Sequence, residues 1–186
     1  YYLQDYLDSP VWPEKHPAAG QAIMLRDYQV GIIKAFAENN QALQEVPTGA
    51  GKTLLTATLS HMVQDYGRSI VIVPNKDLVK QTESDYLMLG LDAGVYFGDR
   101  KDINKTHTIC TWQSLNVMIK NEKEGKTSLK ISDFLKDVVA VIVDEAHGSK
   151  SKVMQELLCG PFSNVPLRWG LTGTLPREEH ELSALP

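Results

Sequence analysis

The chain has 186 residues, 42% of them apolar, with 19 lysines and arginines against 23 aspartates and glutamates and a formal charge of -4. This length and apolar share suffice for one globular domain with a sizeable core, which argues against a disordered or fibrous chain. The acidic balance excludes a global attraction to nucleic acid, so a polyanionic partner has to be met by a local basic face.

Tyr1 is not an initiator methionine, so the sequence reads as an excerpt of a longer one. No run approaches 18 apolar residues, which argues against a membrane span and for a soluble protein; the expected location is intracellular and cytoplasmic. Cys110 and Cys159 belong to no metal-like spacing and read as buried thiols in a reducing compartment. Residues 1–20 are aromatic and broken by Pro10, Pro13 and Pro17; they read as an arm or linker, and residues 21–186 as the domain.

From Asp27, apolar residues at 28, 32, 33, 36 and 37 recur at helical spacing, and Asn39-Asn40 ends that helix. A strand of about five residues follows near 42–46. Leu54, Leu55, Thr58, Leu59, Met62, Val63 and Tyr66 trace a helix face stopped by Gly67. The run "SIVIVP" is β-branched and too short for a helix, hence a buried strand. A helix near 76–89, strands near 93–97 and 106–111, a helix near 113–120 and the strand "VVAVIVDE" complete the alternation. Continuous apolarity in strands that alternate with helices means an α/β fold, a mostly parallel sheet covered on both faces. "GDRKDINK" (98–105) and "KNEKEGKTSLK" (120–130) read as exposed loops.

Between the first strand and its helix stands Thr48-Gly49-Ala50-Gly51-Lys52-Thr53. Glycines at 49 and 51 let backbone N–H groups wrap an anion at a helix N-terminus. Lys52 suits the β/γ-phosphates of a nucleotide, and the Thr53 hydroxyl suits Mg²⁺. The strict Walker pattern fails at its first position, Val46. A glycine-rich turn would explain the glycines, but not why Lys and Thr follow at once. In "VVAVIVDEAH" (138–147), two acids end a core strand, where α/β sheets bind ligands. Asp144 suits the metal's water shell, and Glu145 suits orienting or deprotonating a water. On their own, these acids would equally suit the N-terminus of a helix around 149–158.

"PTGAGKT" and "VDEAH", with "LRDYQ" at 25–29 before them and "LTGT" at 171–174 after, resemble the first RecA-like motor domain of superfamily 2 helicases and translocases. In order, the resemblance covers the Q-motif, motif I, motif Ia ("VPNKDLVKQ"), motif Ib ("TWQSL"), motif II and motif III. It looks nearest to phage branch-migration helicases and to restriction and repair translocases, since motif II ends in His147. For a phage-encoded chain the compartment would be the host cytoplasm. The resemblance implies ATP and Mg²⁺ as cofactors. It assigns Gln29 to the adenine edge with Arg26 in support, and His147, Thr172 and Thr174 to coupling between nucleotide and nucleic acid. It implies Asn75, Lys76, Thr111, Trp112 and Gln113 as contacts to DNA, with RNA as the other choice. It also implies a second RecA-like domain of the same chain, whose arginine completes the catalytic pocket.

Trp112 suits stacking on a base or filling the core. Arg100, Lys101, Lys105 and His107 suit a local basic patch or an ordinary solvated loop. His180-Glu181 has no second histidine at 184, which excludes a zinc protease. The expected function is a DNA helicase or translocase motor driven by ATP hydrolysis. Its rivals are the motor of a restriction complex, an RNA helicase, an ATP-dependent clamp without unwinding, and a P-loop nucleotide kinase. The kinase leaves "TWQSL" and "LTGT" unexplained.

Overall fold

The computed structural model describes residues 27–46, 52–98, 100–102, 104–126, 130–144, 160 and 162–172. The expected arm at 1–20 and the helix expected around 149–158 lie outside them. The elements run α1 (Asp27–Ala37), β1 (Gln41–Glu45), α2 (Lys52–Val63), β2 (Arg68–Val73), α3 (Lys76–Met88), β3 (Ala93–Phe97) and β4 (Arg100–Lys101). Then come β5 (His107–Thr111), α4 (Trp112–Lys123), α5 (Ile131–Phe134), β6 (Val138–Asp144) and β7 (Leu167–Thr172).

The seven strands form one sheet in the order β1-β7-β6-β2-β5-β3-β4. Every pairing is parallel except that of β3 with the two-residue β4. Side chains of β2 alternate between faces, yet both faces are buried: Val71 and Val73 join α1, α2 and α3 in one core cluster, Ile70 and Ile72 join α4 and α5 in the other. Connections running one way along the sheet carry their helices on one face and the return connection through α4 and α5 uses the other, as right-handed crossovers require. The expected mostly parallel α/β sheet is therefore present.

Three elements differ from expectation. β7 lies between β1 and β6 although its sequence, "LRWGLT", mixes a charge and a glycine into a short run. Pairing on both sides holds it there, together with α1: Trp169 Nε1 donates to the Asn39 carbonyl at 2.8 Å and its ring packs on Phe36 at 5.7 Å. β4 forms inside the expected loop 98–105. α4 continues to Lys123, taking in the first four residues of the expected loop at 120–130.

A polar chain threads the core between α2, α3, β2 and β5. The Tyr86 hydroxyl meets Ser60 Oγ at 2.8 Å, Ser69 Oγ donates to Ser60 Oγ at 3.2 Å and also meets His107 Nδ1 at 2.7 Å, and His107 Nε2 meets Gln64 Oε1 at 3.2 Å. Burial pushes His107 down to about 4 from an ordinary 6.5, with His61 and Arg68 adding to the effect and Asp92 opposing it. Its folded form is neutral. As pH falls below 6.5 the unfolded chain takes up a proton that the folded ring refuses, so stability present above 6.5 is lost as pH falls towards 4. The expected loss is about 3 kcal/mol. Urea unfolding near pH 7 and near pH 4.5 checks this. His107→Gln should lose about 2 kcal/mol less than the wild type between those pH values, and an identical loss would place the acid sensitivity elsewhere.

Candidate nucleotide site and nucleic-acid groove

β1, β7 and β6 end at one edge of the sheet because all three are parallel and in step: Glu45 sits beside Thr172, and Asp144 beside Leu171. Just past β1, the Val46 N–H donates to the Thr172 carbonyl at 2.7 Å, which extends the contact with β7 by one bond. The chain re-enters as α2, whose first residues are Lys52 and Thr53. Thr48, Gly49, Ala50 and Gly51 lie outside the described residues, as do Arg26, Glu145, His147 and Thr174. Val46, where the Walker pattern lacks its glycine, is fully buried, so an apolar side chain is what this position packs.

The first turn of α2 holds no acid, which leaves its positive end open to an anion. The helix is buried from Leu55 to Val63. Two of its hydroxyls bond within the helix, Thr56 donating to the Thr53 carbonyl at 2.9 Å and Thr58 to that of Leu54 at 2.7 Å. Lys52 Nζ stands 3.8 Å from Asp144 Oδ1, and both side chains are mostly buried, at 21% and 15% exposure. This separation is an ion pair without a hydrogen bond. A polyphosphate can therefore draw off the ammonium while a cation takes the carboxylate.

Among the described residues no cluster of three His, Cys, Asp or Glu side chains can hold a metal by itself. A hydroxyl and one carboxylate nevertheless fit Mg²⁺, which keeps several waters and takes its remaining ligands from substrate phosphates. Thr53 and Asp144 are the residues that would hold it. Gln29 is buried in α1 at 4% exposure, and Thr172 is fully buried at the end of β7.

Further along the same edge, β2 and β5 end side by side, Val73 beside Thr111. Each is followed by a capped helix. Asn75 Oδ1 accepts the Leu78 N–H at 2.9 Å to cap α3, and Thr111 Oγ1 accepts the Ser114 N–H at 3.2 Å to cap α4. Their N-termini open on a groove of about 550 Å³, lined by Asn75, Lys76, Thr111 and Gln113 together with Tyr96 and Lys101. Trp112 is not on its wall. At 3% exposure it packs in the core cluster with Leu115, Met118 and Phe134, so of its two expected roles the ring fills the core.

The basic cluster expected around 100–107 does not form one face. Arg100 forks onto both Glu83 oxygens at 2.8 Å and also reaches Asp102 at 2.8 Å, and the hydrogen bonds to Glu83 hold its guanidinium above its ordinary basicity. Lys105 stands 3.7 Å from Asp92, and His107 is buried. Lys101 alone turns to the groove, its ammonium 4.3 Å above the centre of the Tyr96 ring. Sequence reasoning missed Tyr96, Val117 and Asn121 in this wall. The last two follow Gln113 at successive steps of four along one helix, a spacing that was open to view.

The profile of the family described as "Type III restriction enzyme, res subunit" matches residues 22–177. A DNA 3'-5' translocase XPB2 of Sulfurisphaera tokodaii is 30% identical over 172 residues, covering 89% of this chain and 35% of that protein. A DNA 3'-5' helicase XPB of Mycobacterium tuberculosis is 28% identical over 189 residues, covering 95% of this chain and 31% of that protein. The chain thus spans about a third of the length of these curated relatives. The UvsW helicase of bacteriophage T4 superposes with a TM-score of 0.72 at 18% identity, over 98% of this chain and 62% of that one, a likeness of fold. The chain belongs to the family of the type III restriction enzyme res subunit, as a RecA-like first domain of the superfamily 2 helicases and translocases.

Proposed function

We propose that this chain is the ATP-binding half of a DNA helicase or translocase motor, acting inside the cell with a second RecA-like domain of the same protein. One observation carries the reading: the Lys52–Asp144 pair and the capped groove share one sheet edge. Asp144 ends β6, and the caps follow β2 and β5, the next two strands along that edge, so one to two steps of about 4.8 Å, about 5 to 10 Å, separate the two sites. A shift of α2 or β6 on nucleotide binding is felt by the strands that carry the helix caps.

Lys52 binds the β/γ-phosphates and neutralises charge that develops as the terminal P–O bond breaks. Asp144 and Thr53 hold Mg²⁺, which when bound supplies positive charge to the phosphate oxygens. Glu145 orients the attacking water and accepts its proton; the products are ADP and phosphate. Gln29, with Arg26, reads the adenine edge, and His147, Thr172 and Thr174 link hydrolysis to the groove. There, Asn75, Lys76, Thr111, Gln113 and the backbone N–H of Trp112 meet the phosphates of one strand. The names of the two curated relatives favour DNA and 3'-5' movement.

The test is ATP turnover and DNA affinity of the full-length protein over a salt series. DNA should stimulate turnover. Lys76→Gln and Lys101→Gln should each weaken binding regardless of sequence, and each should flatten the log-affinity against log-salt slope by about 0.9 on duplex DNA. Unchanged slopes in both variants would rule the groove out as the DNA path.

A further inference from the structure

The groove continues past the helix caps along α4. Trp112, Leu115 and Met118 of this helix enter the core. At spacings of three and four, Gln113, Asn116, Val117, Lys120 and Lys123 form its outer face. That face borders a second depression of about 450 Å³, and Gln113 and Val117 line both depressions, which makes them one continuous surface. Val117 sits at the junction, 55% exposed.

Its charge is distinctive for so acidic a chain. Neither Lys120 nor Lys123 forms an ion pair among the described residues. The neighbouring acids are engaged elsewhere: Glu122 accepts the Ile131 N–H at 2.9 Å, and Glu124 pairs with Lys126 at 2.8 Å. Two open ammonium groups on the same face as the Gln113 and Asn116 amides suit a phosphodiester backbone.

Resting on the groove reading above, we propose that the outer face of α4 carries the nucleic-acid backbone onward from the groove. Lys120 and Lys123 contact phosphates, while Gln113 and Asn116 donate to the oxygens between. The 12 residues of α4 span about 18 Å, which matches about five stacked nucleotides at roughly 3.4 Å each.

The test titrates the full-length protein with two fluorescent oligothymidylates, one just filling the groove and one longer by about five nucleotides. Lys120→Gln/Lys123→Gln should bind the short strand as the wild type does. It should lose the affinity gained from the longer strand, with a salt slope flatter by about 1.4. Lys120→Arg/Lys123→Arg keeps the charge and should restore both. Wild-type affinity and slope in the neutral variant would overturn the proposal, leaving the lysines as partners of the helix C-terminal dipole. An unchanged slope with altered DNA-free ATP turnover would also overturn it, pointing to a protein segment on this face. Lys76→Gln and Lys101→Gln separate the two readings. If they weaken both strands while the α4 variant is unaffected, only this proposal fails; if they weaken neither, the groove reading fails and this path with it.

Discussion

Glu145→Gln in the full-length protein should bind ATP as tightly as the wild type and turn it over at least about 10²-fold more slowly. Glutamine keeps the size and hydrogen bonding of the carboxylate but cannot accept a proton from water. The residue follows Asp144 directly, and Asp144 closes a core strand beside β7. Equilibrium binding of ATP and steady-state phosphate release measure the two halves of the expectation. Wild-type turnover would sink the assignment, and a loss of binding equal to the loss of rate would make Glu145 a ligand contact instead of a base.

Lys52→Ala should lower turnover by about 10² to 10³-fold, the range for removing one preorganised charge partner of a transition state, and should weaken ATP binding as well. Its ammonium is the cation that the structure places beside Asp144, 3.8 Å away. Groups that act on one phosphate as a unit do not add. Lys52→Ala/Asp144→Asn should therefore be scarcely slower than the worse single variant. A double variant whose defect is the product of the two single defects would show that the residues act on separate steps, and the common site would fall.

Much of this site was legible because its signals are local. Gly49, Gly51, Lys52 and Thr53 lie within five consecutive residues, and Asp144-Glu145 follow a run whose apolarity alone marks a buried strand. Strand, turn and helix in that order bring the lysine to the carboxyl end of β1. The same reasoning brings Asp144 to the end of β6. Parallel pairing follows from strands buried on both faces, so the common edge could be expected before any pairing was known.

What sequence reasoning could not reach depends on neighbours far along the chain. β7 is internal because β1 and β6 pair on either side of it and Trp169 locks onto α1, while its own residues carry a weak strand signal. Arg100 and Lys101 are adjacent and equally basic in sequence, yet their fates part. Glu83, 17 residues earlier on α3, captures the first, and the β3–β4 pairing sets the second over Tyr96 and into the groove. Trp112 had two open roles until α4 packed its ring beside Leu115, Met118 and Phe134. Helix period, strand period and turn chemistry are written within a few residues, so the sequence by itself determined most of the elements, the sheet class and the candidate phosphate-binding segment. Which charges are quenched, which aromatic is buried and where a groove opens are settled by side chains within about 4 Å across separate elements, and only the packed tertiary structure decided them.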